Sequence, residues 1–151
     1  MADATKGIKM KKPKVLFLCY HNSARSQMAE GLLKNLAGDK FDVYSAGIEP
    51  TEVHPLAIEA MKEIGIDISN YKSKSAKDFL GEHFGYIITV CDDAKEKCPT
   101  FPDVSIRMHW SFEDPAKSSG SEKERLEGFR KVRDQIKEKI IIWLKELEKE
   151  E

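Results

Sequence analysis

The chain has 151 residues, with 25 Lys and Arg against 26 Asp and Glu, a formal charge of −1 and only three cysteines. At this length one compact core burying roughly 70 % of the unfolded chain's surface is expected, and 40 % hydrophobic residues exclude a disordered chain. The near-neutral balance gives no global field for gathering nucleic acid or an anionic membrane, so any anion has to be held locally.

Residues 1–13 read as a flexible polar leader rich in lysine, and 14–151 as a single catalytic domain. The apolar run Val15–Leu18 is far too short for a signal segment or a membrane span, so a cytoplasmic protein is expected. That run has the pattern of a strand buried on both faces of a parallel sheet, ending at Cys19. From Arg25 to Ala37, Met28, Ala29, Leu32, Leu33 and Leu36 recur at helical spacing, and Gly38 follows as a stop. A second strand is expected over Phe41–Ser45, a second helix over Pro55–Ile64, a third strand over Tyr86–Val90 ending at Cys91, and a fourth over Val104–Trp110. From Ser121 to about Glu148, Leu126, Phe129, Val132, Ile136, Ile140, Trp143, Leu144 and Leu147 form one stripe, and Ser121 with Glu124 makes a capping box. Strands alternating with helices predict an α/β fold with a parallel sheet covered on both sides. Ligands of such sheets bind at the carboxyl ends of the strands, where both Cys19 and Cys91 fall.

Cys19 and Arg25 are separated by five residues, Tyr20, His21, Asn22, Ser23 and Ala24, between a strand and a helix. A loop in that place wraps backbone N–H groups around an anion at a helix N-terminus. Arg25 is expected to grip two oxygens of a tetrahedral oxyanion. The same potential favours the thiolate of Cys19, the nucleophilic form, and Ser26 is placed to donate to it. Asn22 suits a left-handed position inside the loop. Farther along, Asp114 precedes Pro115 in a polar loop, usually only a turn signal, yet a carboxyl carried over the anion could act as general acid.

The segment VLFLCYHNSARSQMAE over 15–30 resembles the phosphate-binding loop of the low-molecular-weight protein tyrosine phosphatase fold and, within it, the thioredoxin-coupled arsenate reductases. The resemblance continues in YSAGIEP at 44–50, HPLAIEAMKEIGIDISNYKS at 54–73, ITVCDDAKEKCPTFP at 88–102 and HWSFEDPAK at 109–117. It implies a three-layer sandwich with a four-stranded parallel sheet between helices. It also implies that Cys19 attacks arsenate, that Asp114 helps hydroxide leave, and that Cys91 attacks the Cys19–arsenic adduct to release arsenite. Cys98 would then take over the disulfide, leaving a Cys91–Cys98 pair for thioredoxin to reduce. Seven residues apart on an intact helix, the two Cα atoms lie about 10 Å from each other, and a disulfide tolerates about 7 Å, so this segment is expected to rearrange on oxidation. A phosphatase on the same loop needs Cys19, Arg25 and Asp114 and no further thiol, and remains the alternative. A non-catalytic thiol sensor is a third reading.

Tyr20 and His21 stand where the family often has Thr-Gly, and Ala24 where it often has cysteine. In some members a potassium ion sits beside the loop, held partly by positions matching Asn22 and Glu30 and by an aspartate. Lys74 occupies the aspartate's place here, so an ammonium is expected to pair with Glu30 instead. No metal and no cofactor is expected, since the three cysteines and His21 lack a chelating pair. His54, His83 and His109 match no role and read as surface or structural residues. Trp110 and Phe112 read as packing for the loop. The partners expected are arsenate or a phosphomonoester and thioredoxin, with no nucleic acid, no membrane and a monomeric chain.

Overall fold

The computed structural model describes residues 12–97 and 101–150. Strand β1, Lys14–Cys19, lies between β2, Asp42–Gly47, and β3, Phe84–Thr89, while β4, Val104–His109, pairs outside β3. All three pairings are parallel. Val15, Leu16, Phe17 and Leu18 have no exposed surface, so both faces of the central strand are covered, as its unbroken apolar run predicts. Helices α1 (Arg25–Ala37), α2 (Pro55–Lys62), α3 (Asp92–Lys97) and α4 (Glu122–Lys149) complete the four-stranded parallel α/β fold.

The 28-residue α4 packs on α1 and α2. Its Trp143 stacks on Phe41 at 5.5 Å between ring centroids and meets Tyr86 and Trp110 edge-on at 5.1 and 5.7 Å. Trp110 in turn lies 6.1 Å from Phe17 of β1. Tyr44 pairs with Leu16 in register, on the face opposite Phe17, and reaches Phe79 of a 3₁₀ turn at Ala76–Phe79. The capping box at Ser121 and Glu124 is formed in full. Arg133, largely buried on α4, donates to Ala60 O at 2.8 Å and to Glu63 at 3.0 Å, and Arg130 grips the same carboxylate, which ties the end of α2 to α4.

Element boundaries move by one to two residues from the sequence expectation. Strand β2 starts at Asp42 and runs on to Gly47, and β3 begins at Phe84 and ends at Thr89 rather than Val90. Cys91 therefore sits just past the strand, although the Val90 N–H still bonds Leu18 O at 2.8 Å. In α1, Leu36 is exposed while Gln27 and Glu30 are buried, so the face turned inward carries polar groups that apolar spacing alone does not reveal. No helix among the described residues is long and apolar enough to cross a membrane.

Candidate active site

The loop between β1 and α1 has its carbonyls engaged from the β2–α2 side. Cys19 O accepts from Ile48 N at 3.3 Å, Tyr20 O from Glu49 N at 2.8 Å, His21 O from Thr51 N at 3.2 Å and Ser23 O from His54 N at 2.9 Å. Asn22 O accepts from Ser73 Oγ at 2.7 Å and Gln27 Nε2 at 3.1 Å. Gly47 permits this close approach, since a Cβ there would stand 2.7 Å from Asn22 N and 2.8 Å from Tyr20 O. The N–H groups of His21, Ser23 and Ala24 find no protein acceptor among the described residues. Ala24 caps α1 without a side-chain bond, so the first-turn N–H groups of α1 are open as well. With its carbonyls taken and the N–H groups of His21, Ser23 and Ala24 open, the loop is a cradle for an anion.

A directed chain of hydrogen bonds ends on Cys19. Asn22, the non-glycine described residue at positive φ (52°), accepts at Oδ1 from Gln27 Nε2 at 2.9 Å and Lys74 N at 2.8 Å. Its Nδ2 therefore donates, to Ser45 Oγ at 2.9 Å and Ser26 Oγ at 2.8 Å. Ser45 passes its proton toward Glu30 Oε1 at 2.6 Å, a carboxylate that can only accept. Ser26, already accepting from Asn22, keeps its O–H for Cys19 Sγ at 2.8 Å, and the Asn22 N–H adds a second donor at 3.1 Å. Two donors thus converge on one buried sulfur.

Glu30 also takes Lys34 Nζ at 2.7 Å and Lys74 Nζ at 3.7 Å. Burial lowers the Lys74 pKa against the pull of Glu30; at Lys34 burial is again the largest single influence, but the hydrogen bond and the charge of Glu30, with Tyr71 and Tyr44, together exceed it and the net shift is upward. With two ammonium groups and a hydroxyl on this carboxylate, the residues here do not fit a potassium ion.

Arg25 and Asp114 come together over the loop. Arg25 Nη1 donates to Phe112 O at 3.1 Å and its Nη2 lies 3.6 Å from Asp114 Oδ2, while Asp114 Oδ1 caps a 3₁₀ turn by accepting from Ala116 N at 3.0 Å. Tyr20 and His21 line the mouth, with their rings edge-on at 4.8 Å and His21 Nδ1 bound to Glu49 O at 2.9 Å. A cavity of about 940 Å³ opens there, bordered by Tyr20, His21, Arg25, Cys91, Asp114 and Lys131.

Cys91 is buried and free, as is Cys19. Burial pushes its thiol pKa up, partly offset by N–H groups of Ala94 and Tyr20 and by the charge of Arg25. The backbone bond from Tyr20 puts this second sulfur against the anion loop. Cys98 lies outside the described residues. Sequence reasoning missed Ser45 and Gln27. The available signal was their polarity at inward-facing positions of β2 and α1.

The low molecular weight phosphotyrosine protein phosphatase family model matches residues 14–151. An arsenate reductase of Oceanobacillus iheyensis is 48% identical over 137 residues, covering 90% of this chain and 98% of that protein. A solved arsenate reductase in the phosphate binding state superimposes with a TM-score of 0.73 at 38% identity, over 89% of this chain and 98% of that one. A thioredoxin-dependent arsenate reductase of Corynebacterium glutamicum has a TM-score of 0.70 at 30% identity, over 99% of this chain and 69% of that one.

Proposed function

The chain belongs to the low molecular weight phosphotyrosine protein phosphatase family, and from that premise we propose that it reduces arsenate to arsenite through Cys19, Cys91 and Cys98, with thioredoxin as the reductant. The observation that carries this reading over plain hydrolysis is Cys91, a second free thiol hydrogen-bonded by the backbone of the loop that holds Cys19. The arsenate reductases among the relatives support the substrate, and the thioredoxin-dependent one supports the reductant.

The free N–H groups and Arg25 hold arsenate. The Cys19 thiolate attacks arsenic, a sulfur–arsenic bond forms, and an oxygen leaves with a proton from Asp114. Cys91 loses its proton to an oxygen of the bound arsenic group and attacks the Cys19 sulfur; the sulfur–arsenic bond breaks, its electron pair stays on arsenic, and arsenic(V) leaves as protonated arsenite. Cys98 attacks Cys91 and frees Cys19. The thioredoxin dithiol then returns two electrons and two protons to Cys91 and Cys98. Burial keeps Cys91 a neutral thiol at rest, which spares it from reacting before an adduct stands beside it.

Turnover of arsenate with a thioredoxin system tests the order. Cys19→Ser is expected to abolish reduction, while Cys91→Ser and Cys98→Ser stop after one turnover or less. Full multiple turnover in both of the latter variants overturns the relay. The cavity is larger than arsenate requires, which favours a second, slower activity on phosphomonoesters. It depends on Cys19 and survives loss of the other two cysteines.

A further inference from the structure

His109, the last residue of β4, is held at both ring nitrogens and touches the start of the segment that carries Cys91. Its Nε2 lies 2.9 Å from Asp92 Oδ1 and its Nδ1 2.6 Å from Thr89 Oγ1. A carboxylate can only accept, so Nε2 carries the proton toward Asp92, while Nδ1 meets the Thr89 hydroxyl, which also reaches Met108 O at 3.5 Å. The ring is thereby oriented by β3 and aimed at Asp92. Ser111 Oγ adds a second donor to the same oxygen at 3.2 Å. Asp92 opens α3 immediately after Cys91, and the Ala94 N–H of the same turn bonds Cys91 Sγ at 3.4 Å. At the other end of α3, Lys97 Nζ stands 5.2 Å from the centre of the Tyr20 ring. The helix is short: it packs on β1 and β3 through the buried Ala94, and side-chain contacts reach its ends from β4, from the loop after β4 and from the anion loop.

We propose that His109 is a positioning residue for the redox segment: donating from Nε2 to Asp92, it pins the first turn of α3 in the form that keeps Cys91 reduced, and it has to let go when Cys91 pairs with Cys98. This rests on the three-cysteine reading and deepens it. The Asp92 side chain is 76% exposed against 22% for His109, so the clamp joins a fixed ring to a carboxylate standing in water. Exposed pairs of this kind are weak. Weakness suits a contact that must break in every catalytic cycle, since a strong clamp would hold the dithiol form and block the rearrangement.

The clamp exists in the dithiol form, so removing it favours the disulfide. Wild type, His109→Ala, Asp92→Ala and Asp92→Asn are equilibrated in defined ratios of reduced to oxidised dithiothreitol, and the Cys91–Cys98 disulfide is counted by mass spectrometry. The two alanine variants are expected to shift the equilibrium about threefold toward the disulfide, about 14 mV to more negative potential, with Asp92→Asn in between because it keeps an acceptor oxygen. Combined, the alanine substitutions should shift it no further than either alone. Amide hydrogen exchange over 92–97 in the reduced protein reads the clamp independently of any disulfide and is expected to speed up in both alanine variants. Unchanged exchange overturns the clamp; faster exchange with an unchanged potential overturns its redox role. A wild-type protein that never forms the Cys91–Cys98 bond overturns the three-cysteine reading and that redox role with it, while the exchange data still decide whether the clamp exists.

Discussion

Cys19 sits where proton direction matters more than proximity. Glu30 fixes the Ser45 proton, Ser45 with the Gln27 and Lys74 donors fixes the Asn22 amide, and Asn22 leaves the Ser26 O–H with one useful acceptor, the sulfur. Ser26→Ala removes that donor while the Asn22 N–H stays. A hydrogen bond to a charged group contributes about 1.5–3 kcal/mol, and a less stabilised sulfur is intrinsically more nucleophilic, which offsets about half of the loss, so alkylation of Cys19 by iodoacetamide at pH 7 should slow by about threefold to tenfold in this variant. An unchanged rate would mean that Ser26 points its proton elsewhere. Cys19, Arg25 and Ser26 were legible in the sequence because the chemistry is local, set by one loop between one strand and one helix. Glu30 and Ser45 acquire their part only when α1 and β2 meet, 15 residues apart in sequence. The resemblance already paired Glu30 with Lys74, a contact the structure forms at 3.7 Å, but it left out the Ser45 hydroxyl that Glu30 orients.

At the scale of elements, α2 starts on His54, whose Nδ1 accepts from Leu56 N at 3.0 Å and whose ring packs 4.6 Å from Phe129 of α4. The His54 N–H is also the one that engages Ser23 O of the anion loop. Burial, with Arg125 nearby, lowers its pKa against the opposing pull of Asp114. Below about pH 6.5 the unfolded chain binds a proton that the folded chain resists, so stability rises with pH through that window and the contribution is complete above it. Protonation also costs the cap its acceptor. His54→Asn keeps an N-cap acceptor that does not titrate. Urea unfolding at pH 5 and pH 7 should therefore show a smaller acid loss in the variant than in wild type; equal losses would refute the assignment. The alternation of strands and helices was readable because apolar periodicity marks long elements well. The 3₁₀ turn at Ala76–Phe79 was not, since four residues carry no period and Phe79 is fixed by Tyr44 and Phe84. His109 and Asp92 escaped for the same reason, because their pairing depends on how β4 ends relative to α3.

For the molecule as a whole, the strand order β2-β1-β3-β4 brings the ends of β1, β3 and β4 to one edge, and that edge is the site. The sequence implied a buried central strand, but the neighbours of that strand follow from crossovers that no local pattern records. Two supports meet there. The anion loop is held from the β2–α2 side by backbone bonds, whereas the column Phe17–Trp110–Trp143–Phe41 ties α4 to the sheet. These supports share no residue, so a loss in one should not pass wholly to the other. Trp143→Ala empties a nearly buried indole site, which costs about 3–5 kcal/mol. At roughly 2–4 °C per kcal/mol for a chain of this size, Tm should fall by about 10 °C. Sites without shared partners behave additively, so the KM for arsenate at 20 °C should stay within about twofold of wild type. If KM rises in step with the loss of Tm, the aromatic column reaches the anion loop through Trp110 and Phe112, and the two supports are one.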